Sequence, residues 1–273
     1  MTLKRIITLT TDFGTADPYV AAVKGAILSI NPEVTIVDVS HDVEPHRIEQ
    51  AVFVVSSALP YFPRHSIHIV VVDPDVGTER RALVLDEGLS IFIGPDNGVL
   101  SAGLSDEVRA GATKGPSAVL VPPGKRAFSL TNPRYQLLPT STTFHARDIF
   151  GPAAAYLSIG VTPSDFGPDV EQITVLPPFR GKQAGRGLVG RIIHIDRFGN
   201  AITTVRGEQL PLGAVRVDVG HHEIEGLSRS YADRGGPLAL IGSSGFLEIA
   251  LKGGSATGTL GLKLGDVVSV RAV

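Results

Sequence analysis

Three hydrophobic runs in this chain of 273 residues each lead into an acid: Asp12, Asp38 and Asp73. If the runs are parallel strands, the carboxylates gather in the crevice beyond the strands' carboxyl ends, where open α/β sheets bind ligands. The plainer reading is that each Asp caps the helix or turn that follows. The segment Val72-Asp73-Pro74-Asp75-Val76-Gly77-Thr78-Glu79-Arg80-Arg81 is the most unusual. An apolar strand runs into an acid, a proline and a glycine turn, and Arg80 follows Asp73 closely enough across the turn to pair with it. That pair either closes a loop or faces the crevice as a charged couple. His145, in Thr143-Phe144-His145-Ala146-Arg147-Asp148, adds an imidazole able to orient or exchange a proton near neutral pH. His41, Asp42 and His46 fall in the loop after the second strand and would line the same crevice, while His65, His68, His194, His221 and His222 read as structural.

The elements that must carry these groups alternate over the first 160 or so residues. Ile6 to Leu9 reads as a strand, and Pro18 opens a helix with Val20, Val23, Ile27 and Ile30 on one face until Asn31-Pro32 stops it. Val34 to Val39 is strand-like. Ile48, Ala51, Val52 and Val55 mark a second helical face, and Ile67 to Val72 is a strand apolar on both sides. Ala82 to Leu85 and Leu89 to Ile93 add strands, and Phe150 to Ile159 is a small-residue helix. The expected class is α/β, with an N-terminal domain built on a mostly parallel sheet over 1–165. The stretch 166–187, rich in Pro and Gly, reads as a linker. Short strands between Gly turns then predict a small all-β barrel over 188–273.

In this second domain, Asp196-Arg197-Phe198-Gly199-Asn200 reads as a hairpin turn and Ser243-Ser244-Gly245-Phe246-Leu247-Glu248 as a polar turn entering a strand. Gly253, Gly254, Gly258 and Gly261 form no phosphate loop, because no Lys-Ser/Thr follows. With 25 Lys and Arg against 27 Asp and Glu, the net charge of −2 lacks the basic excess of a nucleic-acid binder. The absence of Cys removes thiol nucleophiles and thiolate metal sites. No apolar run approaches a membrane span, and the N-terminal apolar stretch is too brief for a signal peptide, so a cytoplasmic location is expected.

Taken in order, these segments resemble the S-adenosyl-L-methionine hydroxide adenosyltransferase family, whose members hydrolyse S-adenosylmethionine to adenosine and methionine. The same superfamily contains fluorinating and chlorinating enzymes. The resemblance rests on Thr10-Thr11-Asp12-Phe13-Gly14, Asp73 to Arg80, Pro95-Asp96-Asn97-Gly98, Phe144 to Asp148, Phe198-Gly199-Asn200 and Ser243 to Ala250. It implies a water-activating set of Asp73, Arg80 and His145, which the halogenating relatives lack. It implies that Asp12 holds the ribose hydroxyls, that Asp17, Asp196 and Ser243 contact the methionine part, that Asn200 reads adenine, and that Phe198 and Tyr231 contact the nucleoside rings. Asn97 and Glu248, inside matched segments, join the expected substrate-binding set.

The resemblance also implies a homotrimer, with sites between one subunit's first domain and its neighbour's second. The chain departs from the family pattern at Asp75, where Gly is usual, at Ser244, where halogenases carry Arg, and at Lys252, where Asn is common. A sulfonium leaves as a neutral thioether, so the scheme needs no metal and no cofactor. The alternatives are a halogenase of the same superfamily, a metal-dependent nucleoside hydrolase using Asp12, Asp17, Asp38, Asp42 and Asp73, and a non-enzymatic nucleoside-binding module.

Overall fold

A computed structural model describes residues 5–113, 115–233 and 235–273. The chain forms two compact units, Met1–Pro178 and Phe179–Val273.

The first unit carries strands β1 (Ile6–Thr11), β2 (Thr35–Ser40), β3 (Ile67–Val71), β4 (Ala82–Asp86), β5 (Ile91–Pro95), β6 (Ser117–Leu120), β7 (Arg126–Ser129) and β8 (Gln172–Val175), with helices α1 (Tyr19–Ile30), α2 (Ile48–Ala58), α3 (Asp106–Arg109) and α4 (Gly151–Ser158). Six strands form one mixed sheet in the order β2-β1-β3-β5-β4-β7. β2, β1, β3 and β5 run parallel, and β4 and β7 are antiparallel to their neighbours. The register sets Leu9 beside Ile69 and Ile69 beside Ile93 at the centre. All three are buried, as are Val23 and Ile27 of α1 and Ala153, Ala154 and Leu157 of α4, which join them in one core cluster. The alanines let α4 approach closely. α2 buries Ala51, Val52, Phe53 and Val55 outside that cluster, as expected when both faces of a parallel sheet are covered.

α4 is preceded by one π-helical turn, Ala146–Phe150, with His145 at its start. Such turns hold one extra residue and recur at functional sites.

The stretch expected as a linker has structure of its own. β8 pairs antiparallel with β6, so residues up to Pro178 belong to the first unit. The break falls between Pro178 and Phe179, directly after the Pro177-Pro178 pair.

The second unit is the expected all-β domain. Its strands are β9 (Lys182–Ala184), β10 (Gly187–Ile195), β11 (Ala201–Arg206), β12 (Val215–Val219), β13 (His222–Glu225), β14 (Pro237–Ile241), β15 (Phe246–Leu251) and β16 (Val267–Ala272), with the short helix α5 (Ala256–Leu260). They form one antiparallel sheet, β13-β12-β16-β10-β11-β15-β14, with β9 added beside β10. The end strands β13 and β14 come back into contact, so the sheet nearly closes into a barrel around Ile192, Val217, Ile249 and Val268. Among the described residues, no helix is long and apolar enough to cross a membrane.

Candidate active site

β3 is buried along its whole length, and the chain leaves it at Val72-Asp73 into a tight turn. Thr78 holds that turn, its N–H and its hydroxyl both donating to the Asp75 carbonyl at 3.2 and 2.8 Å. Gly77 sits at φ +82°, and a Cβ there would overlap the Thr142 carbonyl oxygen, so only glycine lets the turn pack on the 141–143 loop. The turn brings Arg80 back onto Asp73. Arg80 Nε donates to Asp73 Oδ1 at 3.0 Å, and Nη2 donates to Oδ2, a two-pronged contact matched to guanidinium and carboxylate geometry. The side chains are only 8% and 5% exposed, so the pair is largely withdrawn from water. Arg80 Nη2 also lies 2.7 Å from His145 Nδ1.

The structure therefore gathers Asp73, Arg80 and His145 into one array. An arginine can only donate, so His145 Nδ1 accepts and the neutral ring carries its proton on Nε2. Burial holds the His145 pKa below its ordinary value, and the Arg80 charge pushes it the same way, while Asp73 and Asp148 pull it back up.

His145 and Asp73 line a pocket of about 500 Å³ with Asp12, Phe13, Tyr19 and His46. That volume lies in the range of small-molecule sites. Asp12 follows β1, and its Oδ2 accepts from the His46 backbone N–H at 2.9 Å. Behind it lies a chain of contacts. Thr11 Oγ1 and His41 Nδ1 are 2.8 Å apart, His41 Nε2 is 3.0 Å from Asp38 Oδ1 but off the line of a straight hydrogen bond, and Lys24 Nζ donates to Asp38 Oδ2 at 2.6 Å. Burial pushes the Asp38 carboxyl up, but Lys24 and His41 outweigh it and leave it below its ordinary value. Asp38 thus braces the base of the Asp12 loop rather than joining the pocket, and the strand-end acids Asp12 and Asp73 remain as its carboxylates. Among the described residues, no three or more His, Cys, Asp or Glu side chains gather as a metal-ligand group.

One wall of the pocket is aromatic. Phe13, Tyr19 and Phe144 meet edge to face, with ring centroids 5.3 to 6.0 Å apart. Asp148 is fully buried; it accepts from the Ser141 N–H at 2.8 Å and from the Arg147 guanidinium, fixing the loop that brings Ser141 and Thr143 to the pocket rim.

Asn97 and Asp17 stand outside this lining. Asn97 Nδ2 donates to the Val72 carbonyl at 2.8 Å and its Oδ1 accepts from the Val99 N–H, so it braces the end of β3 one residue before Asp73. Asp17 is exposed ahead of α1.

The second unit carries its own pocket, of about 720 Å³, lined by Asp196, Phe198, Asn200, Tyr231, Lys252 and Gly253 among others. It is built on the β10–β11 turn. Asp196 Oδ1 accepts from the Phe198 and Asn200 N–H groups, each at 2.9 Å, and Oδ2 accepts from Asn200 Nδ2. Gly199 sits at φ +81°, where a Cβ would overlap Ser255 Oγ. The result is a rigid turn that holds the Phe198 ring 78% exposed. Tyr231 Oη donates to Glu248 Oε1 at 2.7 Å, and burial, with Glu248 alongside, pushes the phenol up to about 12. Glu248 is buried and raised by that burial, Tyr231 pulls it down, and Asp196 adds to the rise. Ser243 is exposed in the β14–β15 turn, outside the lining.

Sequence reasoning missed Tyr19, Ser141 and Thr143. The one available signal was Tyr19, a large aromatic at the first turn of the helix, beside the Val20, Val23 and Ile27 face and close after Asp12-Phe13.

Known proteins resemble this chain over nearly its whole length. Residues 7–167 match the family model described as SAM hydroxide adenosyltransferase N-terminal domain, and residues 190–269 match the one for its C-terminal domain. An (R)-S-adenosyl-L-methionine hydrolase of Thermus thermophilus is 38% identical over 93% of this chain and 94% of its own. A Fluorinase of Actinopolyspora mzabensis is 27% identical over 97% and 96%. The crystal structure of an uncharacterized conserved protein from Thermotoga maritima superposes with a TM-score of 0.83 at 30% identity, covering 98% of this chain and all of that one. With both halves matched in order and the Asp73–Arg80–His145 array between a buried strand and a π-helical turn, this chain belongs to the SAM hydroxide adenosyltransferase family.

Proposed function

We propose that this chain hydrolyses S-adenosyl-L-methionine to adenosine and L-methionine, taking the (R) diastereomer at sulfur that its Thermus thermophilus relative's name specifies. The observation that carries the reading is the array in which Arg80 ties Asp73 to His145 Nδ1 on the wall of a nucleoside-sized pocket. A water beside His145 receives a hydrogen bond from Nε2–H, the nitrogen turned away from Arg80. It is thereby positioned for in-line attack on the ribose C5′. Positioning of this kind can supply ~7–11 kcal/mol of a barrier. Both Asp73 oxygens already accept from Arg80, but each retains lone-pair capacity. Asp73 therefore accepts the proton as the C–O bond forms and the C–S bond breaks. The electron pair leaves on a neutral thioether, so no group has to protonate the leaving sulfur.

Asp12 holds the ribose hydroxyls, with its free lone pairs facing the pocket. Asn200 and the Phe198 and Tyr231 rings take the adenosine part, and Asp17, Asp196, Ser243, Asn97 and Glu248 complete or support the substrate contacts. The assembled enzyme is a homotrimer acting in the cytoplasm, with the first unit of one copy meeting the second unit of its neighbour. The exposure of Phe198 and Tyr231 together around one pocket supports this, since grouped rings held out in water are suited to being covered.

The test is incubation with each S-adenosylmethionine diastereomer in ¹⁸O water, with and without halide. Adenosine heavier by one ¹⁸O, and no 5′-halo product, is expected. Unlabelled adenosine, or a 5′-haloadenosine, would refute the reaction. For the trimer, mixing inactive Arg80→Ala and Asn200→Ala proteins should restore part of the activity, because some mixed sites draw intact halves from each; no restoration would argue for a site within one chain.

A further inference from the structure

Among the described residues, two that are not glycine have positive φ, His46 at 67° and His65 at 66°. The left-handed region is unfavourable for a residue with a Cβ, and such conformations persist where the surroundings impose them, often at ligand sites. His65 lies just before β3, at the opposite end of that strand from the pocket. His46 lies in the pocket wall, in the turn between β2 and α2, next to Asp12. Its backbone accounts for the conformation: the N–H donates to Asp12 Oδ2 at 2.9 Å, and the carbonyl accepts from the Ile48 N–H at 3.1 Å as α2 begins.

A glycine would make both bonds without strain, and the side chain gives the fold nothing visible in return. Among the described residues the imidazole has no hydrogen bond or ion pair, and it is exposed at the pocket. The backbone bond leaves Asp12 with a fixed carboxylate orientation, and it places the imidazole beside that carboxylate, on the ligand's side.

We propose that His46 is a specificity residue for the ribose: its backbone aims Asp12, and its imidazole makes a second polar contact to the hydroxyl pair that Asp12 engages. This rests on the reading of the pocket as a nucleoside site given above. A neutral imidazole carries one donor and one acceptor, so it complements a hydroxyl whose proton is already given to a carboxylate.

The experiment is calorimetric binding of adenosine, 2′-deoxyadenosine and 3′-deoxyadenosine to wild type, His46→Gly, His46→Asn and the control His65→Gly. His46→Gly keeps the N–H to Asp12 and relieves strain, so its unfolding midpoint should be equal or higher and loss of folding does not confuse the result. Its adenosine affinity should fall roughly five- to tenfold, the size of one polar contact. The loss should shrink to within twofold for the deoxynucleoside lacking the contacted hydroxyl. His46→Asn, a smaller polar side chain that tolerates this backbone, should recover part of the affinity, and His65→Gly should change nothing. Unchanged adenosine affinity in His46→Gly, or an equal loss for all three nucleosides, overturns the proposal. Hydrolysis of S-adenosylmethionine by wild type is followed separately. Adenosine binding without hydrolysis would sink the reaction but leave the ribose contact standing; hydrolysis without adenosine binding by wild type would sink the ribose contact but leave the reaction standing, and the absence of binding and hydrolysis together would sink both.

Discussion

Acid should weaken the first unit through one side chain in the middle of its sheet. His68 of β3 is 1% exposed, between Phe62 and Phe92, with its ring stacked on Phe92 at a centroid distance of 4.9 Å. Nδ1 lies 2.8 Å from Thr8 Oγ1, and Nε2 is buried with no partner. A second proton would leave an N–H and a positive charge in that apolar layer, and burial accordingly lowers the pKa from 6.5 to about 4. The folded state therefore resists a proton that the unfolded chain takes up. The stability is whole above pH 6.5 and falls as the pH drops from there towards 4. A shift of about 2.5 units at 1.36 kcal/mol each corresponds to about 3 kcal/mol. That is a large share of the 5–15 kcal/mol typical of a domain. The assay is urea unfolding of wild type and His68→Gln at pH 7 and pH 4, at one protein concentration. The variant loses the stacked ring and starts less stable, but it has nothing to titrate at this position. Carboxylates and other histidines contribute equally to both proteins, so the wild-type loss should exceed the variant's by about 3 kcal/mol. Equal losses, within about 0.5 kcal/mol, would refute the assignment of the acid sensitivity to this ring.

Further outcomes follow from the array itself. Arg80→Lys keeps the charge but cannot bridge both Asp73 oxygens and His145, so kcat should fall by roughly 10²-fold or more with a smaller change in KM; a kcat near wild type would contradict the role of the fork. The acid limb of the kcat profile should lie below the ordinary histidine value, because burial and then the Arg80 charge oppose protonating His145; Asp148→Asn removes a charge that raises this pKa and should move the limb lower still. Gly77→Ala should reduce kcat by displacing the turn from Thr142, with secondary structure retained by circular dichroism. Treatment with a strong chelator followed by gel filtration should leave S-adenosylmethionine cleavage unchanged, and loss restored by a divalent cation would favour a metal-dependent hydrolase.

The sheet was readable where local pattern and burial agree. Val20, Val23 and Ile27 repeat at helical spacing and are the buried face of α1, and the run from Ile67 is apolar because both faces of β3 are covered. The Asp73–Arg80 pair was readable as a possibility, since a glycine turn separates the two; that His145 meets them, 65 residues on, came only from the family resemblance. The strands hidden in 166–187 were lost because β8 is short, flanked by proline and glycine, and owes its conformation to β6, about fifty residues earlier. Asp38 looked like a strand-end acid, but Lys24 reaches it from α1, a contact made when the helix folds back over the sheet. Asn97 is a similar case: its Asp-Asn-Gly context suggests a turn, while its amide is spent on the backbone of a neighbouring strand. The positive φ of His46 has no sequence signature at all.

The π-helical turn at Ala146–Phe150 gives the imidazole before it an unusual dependence on chain length. Deleting one residue there would let the segment rewind as ordinary α-helix, and every side chain on its upstream side would swing by about 100° around the axis. His145 would then point away from Arg80 without any change in its identity. Insertions and deletions in this segment are thus a simple route by which descendants of one ancestor could gain or lose a bound nucleophile while leaving the rest of the scaffold intact.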